Sequence, residues 1–209
     1  MRTNFLLIAA FLMTASGVLS AGTIFSGVGT GYPAGTLLTT GTADPNFLLV
    51  ANPAGTGAAV VINSADLAGS WVPDSTTDSW IGPYSDGTQT TQTGTFVYQF
   101  TFDLTGYDPA SAVLSGSWAA SDGSNNILNN TILGPTTTPG TLTSFNFTTG
   151  FVSGLNTATF FVSNFGPEQQ GLLVNDLTLT ANSVPEPGSI ALMGLGLVAL
   201  GFAGRKLRS

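Results

Sequence analysis

Thr95-Phe96-Val97-Tyr98-Gln99-Phe100-Thr101-Phe102-Asp103-Leu104 alternates apolar and polar side chains without a break. Successive side chains of a β-strand point to opposite faces, so Phe96, Tyr98, Phe100, Phe102 and Leu104 share one side. Thr95, Gln99, Thr101 and Asp103 share the other. One face is built for a core and one for water, as in an antiparallel sheet covered on a single side. Shorter runs of the same kind occur at 47–51, 58–63, 112–119, 126–133, 142–148, 158–164 and 172–180. Turn-forming clusters separate them, among them Gly106-Tyr107-Asp108-Pro109, Asp122-Gly123-Ser124-Asn125, Gly134-Pro135, Pro139-Gly140 and Phe165-Gly166-Pro167. No long amphipathic helical period interrupts the series. About eight short strands at this spacing predict an all-β chain folded as an antiparallel β-sandwich. Residues 22–45 are rich in Gly and Thr and read as a poorly ordered lead-in, and residues 64–94 read as a long loop.

The two ends follow other rules. Arg2, the apolar stretch Phe5 to Met13 and the small residues Val18-Leu19-Ser20-Ala21 make a secretory signal peptide over residues 1–21. At the other end, Val184-Pro185-Glu186-Pro187-Gly188 precedes an apolar run over 189–204 and the basic end Arg205-Lys206-Leu207-Arg208-Ser209. The two prolines hold an extended, protease-readable backbone. The apolar run is at the short limit for a transmembrane helix. The basic cluster keeps the end cytoplasmic and leaves everything before it outside. Three parts result: a leader over 1–21, an exported domain over 22–183, and a membrane-directed tail over 184–209.

Composition removes most chemistry from the domain. The four basic residues are Arg2, Arg205, Lys206 and Arg208, all in the ends, and the chain has no His and no Cys. Ten acidic residues, Asp44, Asp66, Asp74, Asp78, Asp86, Asp103, Asp108, Asp122, Glu168 and Asp176, lie between 22 and 183. A serine nucleophile has no base to activate it. Zinc, copper and iron–sulfur centres lack their soft ligands. Nucleic acid is repelled, because nothing neutralises phosphate. No disulfide can form, so stability must come from burial, for which about 160 residues suffice. Paired carboxylates for glycoside hydrolysis and oxygen-ligated Ca²⁺ survive this elimination. None of the carboxylates sits in a recognisable catalytic motif, and the expectation is a protein that is not an enzyme and needs no cofactor.

Two stretches have the residue types of a binding site. Trp71, Trp80 and Tyr84 cluster in the loop-like segment. They either form a platform on which a sugar ring stacks or cap the end of the core. Asp122 and Asn125 bunch oxygen donors around a turn, either an ordinary polar turn or part of a Ca²⁺ site.

The tail resembles the PEP-CTERM sorting signal of bacterial exported proteins, on Pro185-Glu186-Pro187 and on the basic end carrying Arg205, Lys206 and Arg208. That resemblance implies recognition and removal of the tail by the membrane enzyme exosortase. It also implies anchoring in the membrane before processing and delivery to the cell surface or extracellular matrix. The stretch from Trp80 to Asn175 resembles jelly-roll, galactose-binding-like domains. The likeness rests on Trp80-Ile81-Gly82-Pro83, on the strand over 98–104, on Ala112-Val113-Leu114-Ser115-Gly116-Ser117-Trp118-Ala119-Ala120 and on Gly154-Leu155-Asn156-Thr157-Ala158-Thr159-Phe160. Such domains usually carry a Leu-Asn-Gly turn; here Leu128-Asn129-Asn130 stands in its place, and Asn tolerates the left-handed region. Together the resemblances imply a non-enzymatic surface protein associated with exopolysaccharide or biofilm. The alternatives are a specific carbohydrate-binding module, with or without Ca²⁺, and a carboxylate glycosidase.

Overall fold

The computed structural model describes residues 21–53, 55, 57–67, 69–86, 93–166, 169–184, 193–198 and 200–201. Eleven strands are formed: β1 Ala21–Val28, β2 Phe47–Ala51, β3 Val60–Val61, β4 Ile81–Gly82, β5 Gly94–Asp103, β6 Val113–Ala120, β7 Ser124–Leu128, β8 Ile132–Leu133, β9 Thr143–Phe147, β10 Leu155–Asn164 and β11 Leu172–Asn182. One sheet has the order β3-β4-β11-β6-β9, with β1 also paired to β11, and the other runs β2-β5-β10-β7-β8. Every pairing between these strands is antiparallel. From β5 onward each connection crosses between the sheets except the β7–β8 hairpin, the winding of a jelly-roll-like sandwich.

The predicted strand over 95–104 is β5, and its alternation is the core pattern. Phe96, Tyr98, Phe100, Phe102 and Leu104 are buried. Their β10 partners are Val162 for Phe96, Phe160 for Tyr98 and Ala158 for Phe100. A small residue opposite a large one lets the rings interdigitate with the facing sheet. Trp118 of β6 comes from that sheet and packs on Phe160 at 5.6 Å between centroids.

The predicted run over 126–133 is a hairpin rather than one strand. Asn129 and Asn130 have φ of 48° and 58°, and Thr131 N donates to Leu128 O at 3.0 Å. Two consecutive left-handed residues make the hairpin turn whose twist matches the strands it joins. Asn130 therefore fills the position that Gly takes in related turns.

Residues 22–45 differ from the expected lead-in. Ala21–Val28 pairs with the second half of β11, from Ala21 opposite Asn182 to Val28 opposite Leu177. Its register shifts twice, and this irregularity is why period-2 alternation does not show in the sequence. Thr30 then fills the gap between β1 and β4. Its N–H donates to Val174 O at 3.0 Å, its Oγ1 accepts from Val174 N at 3.1 Å, and Ser79 N donates to its carbonyl at 2.8 Å. Asp44 is buried and accepts from Gly31 N at 2.6 Å and Asn46 N at 2.8 Å. In a domain without cations, buried carboxylates are held by backbone N–H groups.

β11 carries a bulge. Asn175 faces Ser117 and Thr178 faces Ser115, so one extra residue is inserted, and Asp176 takes φ of 51°. The bulge shifts the phase, so that Leu172 and Val174 before it and Leu177, Leu179 and Ala181 after it all stay buried.

Candidate functional site

The expected long loop over 64–94 instead holds a 3₁₀ turn at Ser64–Asp66 and the strand β4, and the chain over 62–83 is folded down on the sandwich rather than held out in solvent. Ala119 and Leu173 point outward from β6 and β11, and with Ile62 and Trp80 they form a second buried cluster outside the main core. Leu67, Trp71 and Val72 pack around it. The Trp80 side chain is 0% exposed. Its Nε1 donates to Val72 O at 2.7 Å, and its backbone N donates to Asp74 Oδ1 at 3.0 Å. Trp71 stands edge-on to it at 4.5 Å. Gly171 must be small, because a Cβ there would come within 3.1 Å of the Trp80 ring and 3.2 Å of the Trp71 ring.

Of the two expected roles, Trp80 takes that of the cap. Trp80 caps an apolar sheet face that would otherwise meet water and has no face left for a sugar. Trp71 and Tyr84 are half-buried. Trp71 borders an open cleft of about 390 Å³ with Ser64, Leu67, Gly69, Pro73 and Asp74. Burial raises the Asp74 pKa above its ordinary value, while the Trp80 N–H and the Ser64 hydroxyl pull it back down.

Asp122 and Asn125 both line a second cleft, of about 650 Å³. One wall is the turn over 122–125, and the other is the segment over 136–139. Thr137 fixes that second wall: its Oγ1 bonds Trp118 O at 3.1 Å and Thr141 O at 3.0 Å, and its backbone bridges Ser124. Asp122, at φ 47°, accepts at Oδ2 from Phe165 N at 2.8 Å. Asn125 Oδ1 is buried with no hydrogen-bond partner. The two clefts touch, since Val72 N, lining the first, donates to Pro139 O, lining the second, at 2.8 Å. Among the described residues no group of three or more acidic, His or Cys side chains is placed to hold a metal ion. Asp78 is buried elsewhere and accepts from Ser75 N and Asn175 Nδ2.

Among the other carboxylates, Asp103 and Asp108 have structural partners. Asp103 is fully exposed, and hydrogen bonds from the Thr105 hydroxyl and then its N–H hold the carboxyl below its ordinary pKa. Asp108 caps the 3₁₀ turn Pro109–Ser111 through Ala110 N at 3.0 Å. Asp176 occupies the bulge of β11. Glu168 lies outside the described residues.

Phe165 was read from the sequence only as part of a turn. Its ring is 74% exposed, beside Gly123. An aromatic residue inside a Gly-Pro turn was the available signal, since turns seldom need one.

The tail leaves from the edge of the sandwich. Ser183 bridges Tyr107, Val184 N donates to Gly106 O at 2.8 Å, and Asp108 N donates to Asn182 O at 2.8 Å. Ala21 pairs with Asn182, so both ends of the domain emerge side by side. Residues 1–20 of the expected leader over 1–21, Pro185, Glu186, Pro187 and the basic residues Arg205, Lys206 and Arg208 lie outside the described residues, while Ala21 opens β1. Within the expected span, residues 193–198 and 200–201 are helical. Among the described residues no helix is long and apolar enough to cross a membrane.

Comparison with known proteins bears on these features. No curated protein matches the chain. Among solved structures, the crystal structure of Podospora anserina GH26-CBM35 beta-(1,4)-mannanase is similar over 68% of this chain and 28% of that one, at 19% identity and a TM-score of 0.33. This chain thus spans under a third of that protein's length. Residues 183–208 match the family described as the PEP-CTERM protein-sorting motif. Its first residues are those pinned to Tyr107 and Gly106, and the chain therefore carries, directly behind its last strand, the sorting motif of an exported protein processed at its C-terminus by exosortase.

Proposed function

We propose that this is a non-enzymatic surface protein whose sandwich domain is delivered by its tail to the extracellular matrix and associates there with exopolysaccharide. The observation that carries the reading is the sorting motif at 183–208, following a β-sandwich without a single basic residue. The leader and the motif leave the domain at the same edge. A chain held at both ends by the membrane can thus fold outside it before either end is cut. The Asp44, Asp78, Asp103, Asp108 and Asp122 carboxylates are engaged by backbone N–H groups, which favours a structural use over acid–base catalysis. Neutral hydroxyl-bearing polymer suits such a surface better than an anionic partner, because the domain's charge is wholly negative.

The test is co-sedimentation of the exported protein with purified exopolysaccharide of the producing cells, with Ca²⁺ and with a chelator. Saturable binding supports matrix association, and loss of binding with the chelator favours the Ca²⁺-dependent module. No binding in either condition removes the glycan from the reading.

A further inference from the structure

We infer that the cleft between the turn over 122–125 and the segment over 136–139 binds a neutral pyranose ring, with Phe165 as the stacking surface. The inference rests on the matrix-glycan reading above and supplies its site. Phe165 leaves 74% of its side chain in water, although an aromatic ring of that size gains about 1.5–3 kcal/mol on full burial. It is nevertheless held in place. Its backbone N–H is fixed by the Asp122 carboxylate at 2.8 Å. Its ring lies so close over Gly123 that a Cβ there would come within 3.2 Å of Cε2 and 3.4 Å of Cζ. An apolar face is thus presented beside the cleft.

The cleft supplies the complementary half. Its volume of about 650 Å³ is in the range of small-molecule sites. Asn125, Thr136 and Thr138 bring amide and hydroxyl groups to it, and Asp122 is the charged residue of its lining. Asn125 stands at the wall of the cleft with Thr136 and Thr138 opposite, so amide and hydroxyl groups face each other across it. A pyranose carries an apolar C–H face and an equatorial rim of hydroxyls, and these match the ring and the cleft. The ligand class is set by charge. With no Lys, Arg or His between 22 and 183, a uronate or phosphate would meet repulsion from Asp122 and nothing to offset it.

The experiment is native affinity electrophoresis of the exported protein in gels containing a neutral galactan, glucan or mannan, the producing cells' own exopolysaccharide, or alginate as the acidic control. Phe165→Ala, Phe165→Tyr and Gly123→Ala are run beside the parent. Expected is retardation of the parent by a neutral polymer and not by alginate. Affinity should fall at least about tenfold in Phe165→Ala, be retained in Phe165→Tyr, and weaken in Gly123→Ala, where the added methyl displaces the ring. Thermal midpoints should be close to the parent's, because the ring is exposed. If the parent binds and Phe165→Ala binds equally well, this site is wrong while the matrix reading stands. If the parent is retarded by none of the polymers, both fall. Retardation by alginate alone overturns the assignment to neutral sugars.

Discussion

Replacing Trp80 with Ala tests whether the loop over 62–83 is a structural cap or a ligand surface. The indole is 0% exposed, packs on Trp71 at 4.5 Å and donates to Val72 O at 2.7 Å. Removing it opens a cavity over Ala119 and Leu173 and leaves the Val72 carbonyl without its donor. Buried Trp→Ala changes cost about 3–5 kcal/mol, against a total of about 5–15 kcal/mol for a domain. At about 2–4 °C per kcal/mol for a chain of this length, the melting midpoint should fall by about 10 °C. Urea and thermal melts of the exported protein, followed by far-UV circular dichroism, read this directly. Trp71→Ala, at a half-buried ring, should cost about 1–2 kcal/mol. Below its melting range, Trp80→Phe should bind exopolysaccharide as the parent does. A Trp80→Ala protein that melts within about 2 °C of the parent would refute the cap. So would Trp80→Phe losing binding while its stability is unchanged.

Other perturbations separate local causes. Asn130 sits at φ 58° in the β7–β8 hairpin. Asn130→Gly should leave stability equal or slightly raised, whereas Asn130→Val should lower it by about 1–2 kcal/mol, measured by urea titration. Asp74 has a folded pKa raised from 3.8 by burial, so just above that pH the folded state holds more protons than the unfolded one. Its stability contribution is therefore complete below 3.8 and is lost as pH rises through the folded value. Asp74→Asn, which keeps an acceptor for Trp80 N, should gain on the parent as pH rises through that window. Parallel urea midpoints for the two proteins from acid to neutral pH would contradict this.

What could be read from the chain tracks the regularity of its elements. β5 declares itself because Phe96 through Leu104 alternate without a break. β1 does not, because Gly22 and Gly27 contribute no side chain and its register against β11 shifts twice. The burial of Trp80 depends on Ala119 and Leu173, two apolar residues on the outward side of strands whose inward side is also apolar. No local pattern says what will cover them, so the loop's destination is a tertiary fact. Asp122 and Asn125 were visible as a polar turn, yet their cleft is completed by Thr136 to Pro139, and Phe165 comes beside it from a distant loop. The tail needed no fold at all, since prolines, an apolar run and a basic end act through the order of the sequence.

The proposed function requires that an exported sandwich be cut at its tail and left in the matrix. Intact-mass analysis of the protein in the cytoplasmic, membrane and matrix fractions of the producing cells tests it most directly. The account predicts a matrix species that begins near Ala21 and has lost the basic end with Arg205 and Lys206. It also predicts that replacing Pro185-Glu186-Pro187 with alanines holds the chain in the membrane fraction with its tail intact. A full-length chain of 209 residues, recovered from the cytoplasm, would contradict it.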